Sequence, residues 1–310
     1  MKILLIGLGS IGRRHLDCLN AADQSLDLAA LRTKKGTLTE QSTIKEFYDR
    51  QAALNFAPDG VIIANPTALH VAAALPFLKS GSSVLIEKPV TVDSNGAIEL
   101  AAYQERIRVA YCMRFHPLSH FLAGLFRREE PYKISFKRSY YLPKWHPYAD
   151  YRSEYTARKE LGGGVIRTLS HEIDLAVHWL GTPVSVVGIC DKISPLEIDT
   201  DDFAFFSLKM KNGCRVNFEL DFLSPTNINI GEAYTARGKY TWDTSEVNFI
   251  PYEGNAQTQV VYSSEGERFS QMYAEQIEDF IRFVKTGNSS ASTLSESFEV
   301  LKIIEAIDGK

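Results

Sequence analysis

The 310-residue chain has few cysteines, no strong excess of charge of either sign and no long apolar run. Each shortage closes off a class of function. Cys18, Cys112, Cys190 and Cys214 are widely spaced, with neither metal-ligand spacing nor a short disulfide framework. Reduced thiols in a cytoplasmic setting are therefore the expectation. A formal net charge of −4 gives no electrostatic argument for nucleic acid or a membrane surface as partner. The N-terminus lacks a cationic segment with a small-residue cleavage site, and its apolar run is too short for export. No stretch approaches the length that spans a bilayer. Internal repeats, low-complexity segments and long linkers are also lacking. What remains, 45% hydrophobic and 23% charged, is an ordinary globular composition, and the length suggests about two domains.

The most informative stretch is the first. Met1–Ile6 is a short apolar run that enters Gly7-Leu8-Gly9-Ser10-Ile11-Gly12, and a helical pattern follows at once over Ile11–Ala22. A dinucleotide pyrophosphate needs that order. Gly7 makes the tight turn, Gly9 lets the backbone approach the phosphates, and Gly12 lets the helix pack on the strand. Ser10 and Ile11 open a helix whose first N–H groups face the anion.

The strand–helix alternation continues. Leu26–Leu31, Gly60–Ala64, Ser83–Ile86 and Ile107–Tyr111 read as strands. Ile44–Leu54, Thr67–Leu78 and Asp93–Arg106 read as helices, with Asp93 able to cap the last. Continuous apolar strands between helices specify an α/β unit with a parallel sheet covered on both faces. After about residue 120 the pattern becomes β-branched, aromatic and alternating. Its strands read as Lys133–Leu142, Val184–Ile189, Asp202–Lys209, Cys214–Phe222, Asn227–Tyr234, Lys239–Trp242, Val247–Ile250 and Gln259–Tyr262. One helix, Val165–Leu180, interrupts them, and two more close the chain near Phe269–Lys285 and Leu294–Ile307. The expected layout is 1–120 for dinucleotide binding and 121–310 as an α+β unit with a mainly antiparallel sheet. The terminal helix can pack back on the first domain.

Strand C-termini of a doubly wound sheet face the ligand crevice. The second strand ends Arg32-Thr33-Lys34-Lys35, without the acid that grips the ribose hydroxyls of NAD. These groups suit a 2′-phosphate, which favours NADP(H) with NAD as the alternative. A solvated basic loop is the bland reading. The third strand ends Asn65-Pro66-Thr67 with His70 close behind. A cap and a turn, or contact with the cofactor, both fit. The fourth ends Glu87-Lys88-Pro89. A lysine there can hold an anion, donate to a hydroxyl oxygen or relay a proton, with Glu87 as partner, and a surface ion pair before a turn is the alternative.

The combination of the glycine turn, Asn65-Pro66-Thr67-x-x-His70, Glu87-Lys88-Pro89 and Arg114-Phe115-His116-Pro117 resembles the glucose–fructose oxidoreductase / inositol dehydrogenase / MocA family over the whole chain. The resemblance implies a Rossmann domain followed by an open-faced antiparallel α+β domain. It also implies hydride exchange between a nicotinamide and a sugar, cyclitol or related carbonyl, and a cis bond before Pro89. In the family, an Asp and a His complete a catalytic group with the lysine. On Gly162-Gly163-Gly164-Val165-Ile166-Arg167-Thr168-Leu169-Ser170-His171, the His matches His171, and the Asp position holds Thr168, which cannot carry a negative charge.

One base near the reacting oxygen suffices for hydride transfer. His171 is suited by its ordinary titration range and Lys88 can polarise the same oxygen. Asp174 can orient the ring or face the core. Helical spacing would put Thr168 and His171 on neighbouring faces of one helix. Trp145, Tyr148, Tyr151, Arg152 and Tyr155 can stack on and bind a sugar, or pack as a loop. Arg114 can sit beside the nicotinamide or lock the domains as an ion pair. No metal is expected. The reading is an NADP(H)-dependent oxidoreductase of a sugar, amino sugar, nucleotide sugar or cyclitol, forming a homodimer or homotetramer through its sheet. The competing readings are a glycoside hydrolase or lyase with a recycled, tightly bound nicotinamide, and a non-catalytic dinucleotide sensor.

Overall fold

The structure, a computed structural model, describes residues 1–33, 44–147, 149–254, 257–264 and 270–309. The expectations placed on Lys34, Lys35 and Tyr148 lie outside them, as does the start of the helix expected from Phe269. The chain divides into two compact units, Met1–Cys112 with Phe269–Phe298, and Met113–Arg268 with Glu299–Lys310.

In chain order the first unit holds β1 (Lys2–Ile6), α1 (Ser10–Ala22), β2 (Asp27–Leu31), β3 (Lys45–Phe47), α2 (Arg50–Asn55), β4 (Gly60–Ile63), α3 (His70–Ser80), β5 (Ser83–Ile86), α4 (Ser94–Leu100) and β6 (Ile107–Val109). It is completed from the far end of the chain by α9 (Gln271–Thr286) and β15 (Ser292–Thr293). The sheet order is β15-β6-β5-β4-β1-β2-β3. All neighbours are parallel except β15, which pairs antiparallel on the β6 edge. Ile3, Leu4, Leu5, Val61, Ile62, Ile63, Val84, Leu85 and Ile86 are fully buried. Strands apolar on successive residues bury both faces, which is why they stack parallel under helices rather than forming a one-sided sheet. Ile277, Phe280 and Phe283 of α9 join Leu19 of α1 over one face.

Three local expectations change. Ile44–Leu54 is not one helix. Lys45–Phe47 pairs with Ala29–Leu31, and a separate helix begins at Arg50, where Asp49 accepts the Ala52 N–H at 2.8 Å. Strand pairing outweighs local helix preference here, with Phe47 packed 5.7 Å from Phe56. The helix expected from Thr67 opens as a 3₁₀ turn, Thr67–Leu69. The Asp93 cap forms, accepting the Gly96 N–H at 3.0 Å, but the helix tightens into a 3₁₀ turn over Ala101–Arg106.

The second unit opens with α5 (Pro117–Arg128), β7 (Lys133–Ser139), α6 (Leu142–Trp145), α7 (Val165–Thr168) and α8 (His171–Leu180). Strands β8 (Pro183–Asp191), β9 (Phe203–Met210), β10 (Arg215–Asp221), β11 (Ile228–Tyr234), β12 (Gly238–Trp242), β13 (Glu246–Pro251) and β14 (Gln259–Ser263) follow. Helix α10 (Leu294–Asp308) ends the chain, counted with the first unit as far as Phe298 and with the second from Glu299. The order β14-β13-β12-β11-β7-β10-β9-β8 is antiparallel except for the β7–β10 pair. Its covered face carries a ladder of Phe136, Phe218 and Phe206, with centroids 5.3 and 4.5 Å apart, under Trp179 of α8 and Phe126 of α5. Each such ring pair contributes roughly 0.5–1.5 kcal/mol beyond its area burial. Among the described residues no helix is long and apolar enough to cross a membrane.

Candidate active site

Strand register builds the candidate dinucleotide site of the first unit. Val109, Ile86, Ile63, Ile6, Leu31 and Phe47 form one row across β6, β5, β4, β1, β2 and β3. The residues that follow, among them Glu87, Ala64, Gly7 and Arg32, therefore emerge together at the carboxyl edge, where a doubly wound sheet binds its ligand. Gly7 has φ +94°, and a Cβ there would meet the Ala64 carbonyl oxygen at 2.8 Å. A Cβ on Gly12 would lie 2.1 Å from the Gly7 carbonyl oxygen. Gly9 faces open space instead. Helix α1 begins with no side-chain cap and no acid in its first turn, so its N–H groups are left for an anion. The Asn65 side-chain oxygen is buried without a partner among the described residues. These features fit a dinucleotide.

Thr67 is buried and begins the 3₁₀ turn without acting as a cap. Arg32 is not a solvated base. Its Nη1 lies 2.7 Å from Glu46 Oε1 on β3, and Glu46 also accepts the Tyr48 hydroxyl at 2.5 Å. Thr33 is exposed beside it. A carboxylate thus does stand near the end of β2, but it arrives from the neighbouring strand.

Lys88 is half-buried at the mouth of β5, and the Lys88–Pro89 bond is cis. Glu87 does not make a surface pair. Its Oε1 lies 2.7 Å from Nε2 of the fully buried His15, and its Oε2 accepts the Lys88 N–H at 3.3 Å. His70 is also buried. Nε2 faces the Asn65 carbonyl at 2.9 Å, and Nδ1 faces those of Pro89 and Val90 at 3.1 and 3.2 Å. Burial holds its ring below the ordinary imidazole range, against the carbonyls that favour the charged form. His70, expected beside a cofactor, is placed as a clamp on this loop. Cys112 closes the same region, hydrogen-bonded to Tyr273, and burial pushes its thiol up to about 12.

The remaining candidate residues belong to the second unit. Helix Val165–Leu180, expected as one, is two. Leu169, at φ −96° and ψ 30°, leaves the helical region, so α7 stops at Thr168 and α8 starts at His171. Helical spacing therefore does not relate those two residues. The start of α7 is set by Asp201, whose backbone carbonyl accepts the Val165 N–H at 3.1 Å and whose Oδ2 accepts that of Ile166 at 3.0 Å. Burial raises its carboxyl above the usual range. Asp201, Cys190 and Asp308 gather their ligand atoms within 4.8 Å, with Arg167 paired to Asp308. Thr168 is buried and His171 is half-buried.

Arg114 holds the Asp174 carboxylate bidentately, Nε–Oδ2 2.8 Å and Nη2–Oδ1 2.7 Å, with both side chains buried. Both residues belong to the second unit, so the pair is internal to it and not a lock between domains. Trp145 stacks on buried Tyr140 at 4.0 Å, and burial pushes the Tyr140 hydroxyl well up. Tyr155 lies close by. The Tyr151 hydroxyl accepts the Glu197 N–H at 3.3 Å. Arg152 lies at the surface between Asp150 and Glu197. His15, Glu46, Tyr140, Glu172 (3.8 Å from Arg138) and Asp201 escape sequence reasoning, because no motif links them to their partners.

A doubly wound sheet with an uncapped helix after its glycine turn, and a lysine at the mouth of β5 on the same edge, fits a nicotinamide-dinucleotide oxidoreductase. The comparisons give the family. Residues 1–115 match the model "Oxidoreductase family, NAD-binding Rossmann fold", and residues 130–241 match the GFO/IDH/MocA C-terminal domain. The chain belongs to the Gfo/Idh/MocA oxidoreductases. It is 24% identical over 248 residues to inositol 2-dehydrogenase of Corynebacterium glutamicum, covering 76% of this chain and 69% of that one. It is 26% identical over 263 residues to D-xylose 1-dehydrogenase (NADP(+)) 2 of Haloferax volcanii, covering 80% and 77%. Levoglucosan dehydrogenase, solved with NADH and L-sorbose, superposes with TM-score 0.84 at 17% identity, covering 99% of this chain and 95% of that one. The chain is a dehydrogenase or reductase with an NAD-binding Rossmann fold.

Proposed function

We propose that the protein exchanges hydride between NADP(H) and a hydroxyl carbon of a sugar, amino sugar, nucleotide sugar or cyclitol. The observation that carries this is the row of strand ends, which sets Lys88 on the same edge as the glycine turn. Gly7, Gly9, Ser10, Ile11 and Gly12 would hold the pyrophosphate, with Asn65, Pro66, Thr67 and Glu87 beside the rest of the cofactor. The nicotinamide, when bound, supplies the hydride acceptor or donor. Loss of hydride from the carbinol carbon leaves a hydroxyl proton to be taken up, and a His171 ring nitrogen takes it. The Lys88 ammonium can donate to a substrate oxygen and steady developing negative charge on it. Thr168 can donate or accept a hydrogen bond but cannot serve as the base. Trp145, Tyr151 and Tyr155 offer apolar ring faces to a sugar.

Cofactor preference turns on Arg32. Its Nη1 is engaged by Glu46, and its other N–H groups suit a 2′-phosphate. The Haloferax relative named for NADP supports this choice; the solved complex with NADH is the competing precedent. Four unpaired thiols support a cytoplasmic setting.

Fluorescence titration should give tighter binding of NADPH than NADH. With myo-inositol, D-xylose or UDP-N-acetylglucosamine as trial substrates, Lys88→Met and His171→Ala should each lower kcat by roughly 10²–10⁴. Turnover that survives both changes refutes the assignment.

A further inference from the structure

The Glu87–Val90 segment is held from two sides by buried histidines. His15 follows Gly12 by three residues on α1 and is wholly inaccessible. Its Nε2 contacts Glu87 at 2.7 Å, while its Nδ1 is buried without a partner among the described residues. Glu87 in turn accepts the N–H of Lys88. On the far side, His70 reaches the carbonyls of Pro89 and Val90. A buried ring with one nitrogen unsatisfied is a poor packing element, since an apolar side chain of that volume carries no such penalty. What the imidazole supplies that an apolar group does not is the donor aimed at Glu87.

We propose that His15 is a positioning residue. It ties the helix whose N-terminus faces the dinucleotide pyrophosphate to the loop that carries Lys88, and it acts through the Glu87 carboxylate. The helix start and the Lys88 backbone are then joined by a short chain of bonds: α1 to His15, His15 to Glu87, Glu87 to the Lys88 N–H. Binding of the dinucleotide at Gly9–Gly12 steadies Lys88 by that route. The inference rests on the reading of Lys88 as the group at the reacting oxygen.

The test compares His15→Leu, His15→Gln and His15→Asn, with Glu87→Gln alone and combined with His15→Leu. Gln sets an amide nitrogen near the Nε2 position, and Asn falls short of it. NADPH affinity is read by fluorescence, and hydrogen exchange of peptides spanning Glu87–Val90 is read with and without NADPH. kcat and KM are read with the best trial substrate. NADPH should protect this segment in the wild type and in His15→Gln, but not in His15→Leu or His15→Asn, while NADPH affinity changes less than about threefold. kcat should fall on the order of 10–100-fold in His15→Leu, recover in His15→Gln, and fall little further when Glu87→Gln is added. Wild-type protection and kcat in His15→Leu would overturn the proposal, as would effects of His15→Leu and Glu87→Gln that multiply. If His15→Leu does not fold, the Gln and Asn pair decides, since equal behaviour of the two also overturns it. Turnover that persists in Lys88→Met sinks the Lys88 reading alone, because the protection measurement needs no substrate.

Discussion

Arg32 and Glu46 are fourteen residues apart in the chain and 2.7 Å apart in space. The cation draws a 2′-phosphate and the carboxylate opposes it, so the two should pull cofactor preference in opposite directions. Arg32→Ala should cut the NADPH-to-NADH affinity ratio about tenfold, the equivalent of ~1.4 kcal/mol. Glu46→Gln should raise the ratio. Paired titrations of each variant with both cofactors check the signs. Arg114 and Asp174 differ in kind, for both are buried. Removing one partner strands the other charge, so Arg114→Ala should destabilise the fold by about 3–5 kcal/mol, read as a lower urea midpoint. The glycine turn and Lys88 are legible in the sequence because each sits in a local motif whose residue order is itself the geometry. The partners of Arg32, Arg114 and Glu87 are not legible, because each arrives from another strand or helix.

At the scale of elements, the break between α7 and α8 separates Thr168 from His171. Gly164 enters α7 at φ +110°, and a Cβ there would lie 2.1 Å from Asp201 Oδ1. Gly164→Ala must displace the carboxylate that starts the helix, as well as strain the backbone. It should lower kcat while NADPH binding, a property of the other unit, holds. Asp201 also gives a pH signature. Burial raises its folded-state value above the unfolded value near 4, so the folded state binds this proton more tightly. The stabilisation linked to that proton is complete below about pH 4 and lost as pH rises through the raised value. Asp201→Asn lacks the dependence. The urea midpoint of the wild type relative to Asp201→Asn should therefore fall as the pH rises above about 4, and a flat difference would refute the assignment. Hydrophobic period marks helices and strands well where one face is buried. It makes Val165–Leu180 look continuous because apolar residues run through the break, and Ile44–Leu54 look helical because a three-residue edge strand is too short to show a period of two.

For the molecule as a whole, the open face of the eight-stranded sheet carries exposed apolar side chains. Phe205 is 48% exposed and Ile230 49%, among polar rows that include the Lys137–Glu219 pair at 2.7 Å. Isolated exposed apolar side chains are ordinary, but several on one flat face favour a second copy as cover. Phe205→Asp with Ile230→Asp should convert an oligomer into monomer in sedimentation velocity, without loss of NADPH binding. A wild-type protein that sediments as a monomer at micromolar concentration defeats the idea.

Sequence alone determined the α/β-then-α+β order, the dinucleotide turn and the candidate lysine, since these depend on residue type at short spacing. The tertiary structure decided what surrounds them. It placed β15 on the edge of the first sheet, returned Phe269–Phe298 to the first unit, and supplied Glu46 to Arg32, Asp174 to Arg114 and His15 to Glu87. Those partners follow from strand register and helix packing, and register is a property of the assembled sheet that no local pattern contains.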